Sequence, residues 1–169
     1  MKIIDNYLQP ELYKKISVFL KSDKASWYLK GNDTDNYTKN KNGFFQFCFY
    51  NHGHPDHEKF YDLMVPVLVK LKADACQQIR ANLVVRDKDS IECGWHTDGD
   101  NPAATTGILY LTNCNSKTVL RTKDGDVFVD SIENRMLLFP QNTEHKVIYQ
   151  TDVHKRYVIN FNYFGQLWQ

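Results

Sequence analysis

From residue 79 onward the chain is divided into short β-rich segments at regular spacing, and this pattern restricts the fold more than any other feature. The segments are Arg80–Arg86, Ile91–Asp98, Thr105–Thr112, Lys117–Thr122, Val127–Val129, Arg135–Phe139, Lys146–Gln150 and Arg156–Phe164. Turn-forming clusters separate them, among them Asp87-Lys88-Asp89-Ser90, Gly99-Asp100-Asn101-Pro102, Asn113-Cys114-Asn115-Ser116 and Lys123-Asp124-Gly125-Asp126. Eight short strands punctuated in this way predict a double-sheet jelly roll or a barrel.

The first 79 residues read differently. Pro10 suits the first turn of a helix, and Leu12, Ile16, Val18, Phe19 and Leu20 give that helix an apolar face as far as Lys21. Residues 31–42 are polar and turn-rich and predict a loop. Gly43–Tyr50 reads as a strand. A second helix is predicted over Pro55–Gln78, with Phe60, Leu63, Met64, Val67, Leu68 and Leu71 at helical spacing and a kink or break at Pro66. The expectation is a mainly β domain with N-terminal helices (α+β). Residues 1–79 would form helical support on one outer face, residues 80–165 the jelly-roll core, and residues 1–169 one domain, since no repeat or linker divides them.

With 21 basic and 20 acidic side chains the formal charge is +1. That balance predicts neither a nucleic-acid partner nor an anionic membrane, because phosphate contacts rely on clustered Lys and Arg. Cys48, Cys76, Cys93 and Cys114 show no zinc spacing and are few for a disulfide scaffold, so they read as reduced thiols in a cytoplasmic protein. Met1-Lys2-Ile3-Ile4-Asp5 meets an acid too early for a signal peptide, and no apolar run approaches membrane-spanning length. The chain contains no Gly-x-Ser-x-Gly, P-loop or Gly-x-Gly-x-x-Gly motif.

The chemistry concentrates at His96-Thr97-Asp98. Residues i and i+2 of a strand share a face, so His96 and Asp98 can reach one ion from a single short stretch. His145, far along the chain, can supply a third ligand. Two imidazoles and one carboxylate on one face of an ion form the facial triad of non-haem Fe(II) oxygenases, which leaves coordination positions open. On its own an HxD triplet reads first as a satisfied strand histidine beside a turn-capping aspartate. Other donors fit less well: His154 falls in a turn, Asp100 sits beyond Gly99, and His52, His54 and His57 lie among Asn, Gly and Pro.

Taken with its neighbours, the triplet resembles the Fe(II)/2-oxoglutarate-dependent dioxygenases, in their prolyl 4-hydroxylase-like branch. The motifs that carry the resemblance are His96-Thr97-Asp98, Ile108-Leu109-Tyr110-Leu111-Thr112, Leu137-Leu138-Phe139-Pro140 before Glu144-His145-Lys146-Val147, and Arg156 through Phe164. They cover roughly Leu83 to Phe164. The resemblance implies a double-stranded β-helix in which His96, Asp98 and His145 bind Fe(II) and Arg156 grips the distal carboxylate of 2-oxoglutarate. It also implies hydroxylation of a substrate by O2, with release of succinate and CO2. A buried carboxylate needs a partner, and an arginine fork supplies two charge-assisted hydrogen bonds.

Further candidates follow from alternation. If Arg156 points inward, so do Val158, Asn160 and Asn162, while Tyr157, Ile159, Phe161 and Tyr163 pack outward. Asn160 reads as facing co-substrate and Asn162 as facing substrate; internal hydrogen bonds to backbone are the other reading of both. Tyr110 stands where the resembling family often directs a hydroxyl at the co-substrate, or it packs in the core. Asn82, Val84 and Arg86 share a strand face, with Asn82 assigned to the co-substrate and Arg86 to co-substrate or substrate. Arg86 replaces a tyrosine common in prolyl hydroxylase relatives, Asn115-Ser116-Lys117 replaces a Gly-Gly turn, and Val158 replaces a small hydroxylated residue. These departures leave the substrate open among a peptidyl residue, an amino acid and a small metabolite, and oligomeric state is open as well. Two other functions stand beside this one: a cupin-like metalloenzyme that uses no 2-oxoglutarate, and a non-catalytic jelly-roll binding module.

Overall fold

A computed structural model describes residues 1–30, 44–55, 58–86 and 92–165 of the chain. In chain order the described residues form β1 (Lys2–Ile4), α1 (Pro10–Leu20), β2 (Tyr28–Lys30), β3 (Phe44–Asn51), α2 (Glu58–Tyr61), α3 (Val65–Leu71), β4 (Ala73–Val85), β5 (Thr105–Tyr110), β6 (Cys114–Thr122), β7 (Gly125–Ser131), β8 (Met136–Pro140), β9 (His145–Ile148) and β10 (Lys155–Gly165). The predicted loop over residues 31–42, His57, the Asp87–Ser90 turn and Ile91 lie outside the described residues.

The strands build two antiparallel sheets. The larger has the order β1-β8-β5-β10-β4-β3-β2 and the smaller β7-β6-β9. Alternation along β10 sorts its side chains as expected. Tyr157, Ile159, Phe161 and Tyr163 join a core with Ile16, Phe19 and Leu20 of α1 and Val67 and Leu71 of α3. Val158 faces the other way, into a smaller cluster between the sheets with Ile108, Tyr110, Leu137 and Phe139 of the large sheet and Leu120 and Val129 of the small one. Helices therefore cover one face of the large sheet and the small sheet covers the other, which is the expected jelly roll. Phe19, Phe47 and Phe49 pack ring against ring at the helix–sheet contact, and full burial of each such side chain contributes on the order of 1.5–3 kcal/mol.

Two expectations change. The helix predicted over Pro55–Gln78 is two short helices followed by a strand. Pro66 lies in the first turn of α3, and Lys72 ends that helix in a left-handed conformation (φ 53°). Residues Ala73–Gln78 then pair with β10 and β3, so tertiary pairing overrides local helical preference. The support over residues 1–79 is thus as much strand as helix, because β1, β2, β3 and the first half of β4 all belong to the large sheet.

The strand predicted over Ile91–Asp98 is the second change. Its described part touches β9 only at the isolated bridges Glu92↔Ile148 and His96↔His145. Between them the Cys93 N–H donates to the Val147 carbonyl (2.9 Å), but the Val147 N–H returns to the Cys93 thiol (2.9 Å) instead of a carbonyl. A side-chain acceptor interrupts the ladder there, next to Gly94.

Candidate active site

The two bridges deliver the candidate ligands. His96 and His145 lie directly opposite and exchange both backbone hydrogen bonds, at 3.0 and 2.8 Å. Asp98 follows two residues after His96, on the same side. Each residue of the trio offers one ligand atom, and these atoms all lie within 4.8 Å of one another. Among the described residues this is the only cluster of three or more His, Cys, Asp or Glu so arranged. Asp98 and His145 have side chains only 3% exposed, and the His145 Nε2 is 3.9 Å from the Asp98 Oδ1. His52, His54, Asp100 and His154 take no part in the cluster.

Each member is aimed by a second hydrogen bond. The Nδ1 of His96 lies 3.0 Å from the Gly94 carbonyl, and the Nδ1 of His145 lies 3.0 Å from the Thr143 carbonyl. In the neutral rings Nδ1–H donates to those carbonyls, which makes Nε2 the electron-pair donor of each ring. The Thr106 hydroxyl donates to the Asp98 Oδ2 (2.9 Å). Asn162, with its amide nitrogen turned to its acceptors, donates to the same oxygen (3.2 Å) and to the Phe161 carbonyl (3.1 Å). Oδ1 is thereby the carboxylate oxygen directed at His145. Burial holds the His96 imidazole below its ordinary pKa. The neighbouring His145 pushes the same way, and the Arg80 guanidinium adds a weaker push. A neutral imidazole is the form that binds metal.

The ligand-bearing segment is clasped from outside. The Trp95 ring lies between the Arg121 guanidinium (4.0 Å) and the Lys146 ammonium (4.9 Å). Arg121 pairs with Glu144 (2.9 Å) and Lys146 with Glu92 (2.8 Å). Cation–π contacts contribute roughly 0.5–1 kcal/mol each at such sites, and they tie residues 92–96 to β6 and β9 where the backbone ladder is broken.

Arg156 occupies the other end of the same interior. It is 2% exposed, and its Nε is buried without a hydrogen-bond partner. Among the described residues no carboxylate pairs with it; its guanidinium sits 5.8 Å from the centre of the Tyr110 ring. Tyr110 is fully buried and donates its hydroxyl to the Thr118 Oγ1 (2.8 Å), and burial pushes its pKa up to about 12. A buried guanidinium without a protein counter-charge fits a carboxylate ligand. Asn82 and Asn160 share the inward face, since their neighbours Ala81 and Ile159 belong to the helix-side core. Asn82 accepts from the Gln46 amide (3.2 Å), and the Asn160 Oδ1 is buried without a partner.

Two candidates stand in surroundings other than those expected of them. Arg86 lies just beyond β4, exposed, and its guanidinium donates to the Thr151 carbonyl (2.7 Å) while its N–H donates to the His154 carbonyl. The sheet ends before it, so strand alternation does not carry it inward. Asn162 is 4% exposed, and its amide meets Asp98, Thr106 and the Phe161 carbonyl. Four residues with a place at the site were not singled out from the sequence. Thr106 holds Asp98, and Thr118 receives Tyr110. Tyr149, just past the end of β9, has its pKa raised by burial to about 12, and the nearby Arg156 moderates the rise. Arg80 shares the inward face of β4 with Asn82. Alternation carried one step back from Asn82 would have reached Arg80.

No family model and no curated protein matches the chain. Solved structures do match. A prolyl-4-hydroxylase of Pseudomonas putida superposes with a TM-score of 0.62 at 12% identity, over 98% of this chain and 92% of that one. A prolyl hydroxylase of Trichoplax adhaerens, solved with a hypoxia inducible factor peptide fragment, gives 0.67 at 18% identity, over 97% and 83%. An oxidoreductase of the 2OG-Fe(II) oxygenase family from Burkholderia pseudomallei gives 0.68 at 8% identity, over 95% and 84%. The chain therefore has the double-stranded β-helix fold of the 2-oxoglutarate–Fe(II) oxygenases, in the form that prolyl hydroxylases share.

Proposed function

We propose that the protein is an Fe(II)- and 2-oxoglutarate-dependent dioxygenase that hydroxylates a C–H bond. One observation carries this reading. A His-Asp-His cluster fit for a divalent ion and a buried arginine without an acidic partner face the same interior. A structural metal site would account for the first but would leave Arg156 without a counter-charge.

In this reading His96, Asp98 and His145 hold Fe(II) on one face. The bound ion would couple decarboxylation of 2-oxoglutarate, to succinate and CO2, to oxidation of the substrate by O2. The protein's residues do the rest. Gly94 and Thr143 keep Nδ1 protonated, Thr106 and Asn162 fix the carboxylate, and the Arg156 fork takes the distal carboxylate of 2-oxoglutarate through two charge-assisted hydrogen bonds. Tyr110 packs under the guanidinium and directs Thr118, while Tyr149 supplies a hydroxyl from just beyond β9. The inter-sheet apolar cluster keeps water from the arginine end. The substrate is a small molecule or a peptidyl residue; the Trichoplax relative's peptide complex is consistent with the second.

The test is succinate formation from 2-oxoglutarate by protein reconstituted with Fe(II) in air, together with anaerobic calorimetry of 2-oxoglutarate on Mn(II)-loaded protein. The reading expects one metal per chain, lost in His96→Ala and His145→Ala, and 2-oxoglutarate binding that requires the metal. Metal binding without 2-oxoglutarate binding would instead support a cupin-like metalloenzyme, and binding of neither a non-catalytic module.

A further inference from the structure

Strand register divides the interior floor into parallel rows of side chains. Val84 faces Arg156 in the first row. The next row crosses five strands, Tyr28–Gln46–Asn82–Val158–Tyr110, from a tyrosine that is 59% exposed to one that is fully buried. The third row is Cys48–Arg80–Asn160–Ile108, and the fourth is Gln78–Asn162–Thr106, which holds Asp98. Successive rows are two residues, roughly 7 Å, apart. Arg80 is therefore one row from the ligand carboxylate and two rows from Arg156. It is also set toward β3 and β2, the side on which its neighbouring row opens to solvent.

The environment of Arg80 is unusual for a half-buried cation. Among the described residues it makes no ion pair, and it lies within electrostatic reach of His96. Its row neighbour Asn160 carries an oxygen buried without a partner. A guanidinium beside a divalent ion repels that ion, so an anion between them relieves both charges. The 2-oxoglutarate distal carboxylate is already matched to Arg156, two rows deeper.

We propose that Arg80 anchors a carboxylate of the substrate, so that the substrate is a small carboxylic acid held by its acid group at the open side of the metal. This inference rests on the dioxygenase reading and names the substrate class of that site.

The experiment uses protein loaded with Mn(II) and saturating 2-oxoglutarate without O2. The twenty N-acetyl-L-amino acids and their C-terminal amides are titrated by calorimetry, and the same compounds are then tested with Fe(II) in air for stimulation of succinate formation. The expected result is that at least one acid binds tenfold or more tighter than its amide. Arg80→Gln erases that preference, Arg80→Lys restores part of it, and affinity for 2-oxoglutarate stays within twofold in both variants. The proposal is overturned if no acid binds, if amides bind as well as acids, or if the preference survives Arg80→Gln. It is also overturned if Arg80→Gln weakens 2-oxoglutarate itself tenfold, which would assign Arg80 to the co-substrate. Failure of the wild type to bind Mn(II) or 2-oxoglutarate at all would instead remove the dioxygenase reading beneath it.

Discussion

Replacing Arg156 with methionine should stabilise the ligand-free protein while abolishing its hold on 2-oxoglutarate. The two effects have opposite sign if, as proposed, the buried guanidinium serves a carboxylate ligand. It is 2% exposed, its Nε has no partner, and among the described residues no acid pairs with it. Desolvating an ion costs several kcal/mol after relaxation. The visible compensation is the Tyr110 ring at 5.8 Å, a contact that contributes about 0.5–1 kcal/mol. Methionine keeps an unbranched flexible stem of comparable reach and removes the charge. A net gain of about 1–3 kcal/mol follows, or roughly 3–9 °C in Tm at about 3 °C per kcal/mol for a chain of this size.

Binding moves the other way. A carboxylate left without its buried partner loses about 3–5 kcal/mol, which is roughly a hundredfold to a few thousandfold in Kd. Thermal unfolding under nitrogen, with and without Mn(II) and 2-oxoglutarate, reads both effects. At a ligand concentration of about 100 Kd the wild type gains about 2.7 kcal/mol, near 8 °C. At the same concentration Arg156→Met should gain no more than about 0.4 kcal/mol, or roughly 1 °C. An apo variant that melts several degrees below wild type would show that the guanidinium is structurally satisfied. A full ligand shift in the variant would show that the carboxylate binds elsewhere. Either result refutes the argument.

Thr106→Val and Asn162→Leu should each weaken Mn(II) binding roughly 10–100-fold with the fold intact, the range seen when residues that orient metal ligands are lost; unchanged affinity in both, by calorimetry, would contradict the role given to the Asp98 hydrogen bonds. Burial and His145 hold His96 below its ordinary value, so below pH ~6.5 the unfolded chain takes up that proton first. Apo stability should therefore be level above that pH and fall as pH drops through the lower folded value. Urea titrations at pH 7.5 and 5 should show a smaller fall in His96→Gln, and an equal fall would refute the assignment. Arg86→Ala should leave 2-oxoglutarate affinity within twofold, and a tenfold loss would return Arg86 to the site. Gly165→Ala should cost about 1–3 kcal/mol, since a Cβ there would overlap the Lys72 carbonyl; a loss below ~0.5 kcal/mol in urea denaturation would mean that the α3–β4 corner yields.

What the sequence made legible follows from how local each signal is. Alternation along Arg156–Phe164 sorted inward from outward residues because one face meets apolar helices and the other the apolar floor of the barrel, so a slip of one residue would exchange them. The helix predicted to Gln78 failed because Leu-Lys-Ala-Asp-Ala-Cys-Gln-Gln is helix-permissive by itself. Its strand state depends on β10 and β3, which lie far away in sequence. Arg80 was within reach, since it opens the predicted strand Arg80–Arg86 and alternation from Asn82 places it on the same face. Asn162 was turned inward from alternation alone, without its hydrogen bond to Asp98. Its contact with Asp98 spans 64 positions and depends on the course of the Gly99–Ala104 turn, for which residue type carries no signal.

The same logic explains where local consistency breaks down. Natural domains pair nearly all their buried polar atoms. Among the described residues five side chains depart from this, and two of them, Arg156 and Gln150, lie at one end of the interior, while Asn160 stands two rows away. Gln150 binds the carbonyl of Val84 (3.0 Å), the residue directly opposite Arg156, with its own Oε1 left unpaired. At the metal end the opposite holds, since the Nδ1 of each histidine and the Oδ2 of Asp98 have partners within 3.0 Å. A metal site must be rigid before the ion arrives, because ligand geometry sets its affinity. A co-substrate site must instead keep donors uncommitted, because any internal partner would compete with the carboxylate. On the proposed function, the contrast between a saturated end and an unsaturated end separates a permanent ligand from a consumed one. It predicts that 2-oxoglutarate protects the amides of β10 around Arg156 from hydrogen exchange more than Mn(II) does, and Mn(II) those around His96 and His145 more than 2-oxoglutarate. If Mn(II) alone protected both ends equally, the interior would be one preformed site and the distinction would fail.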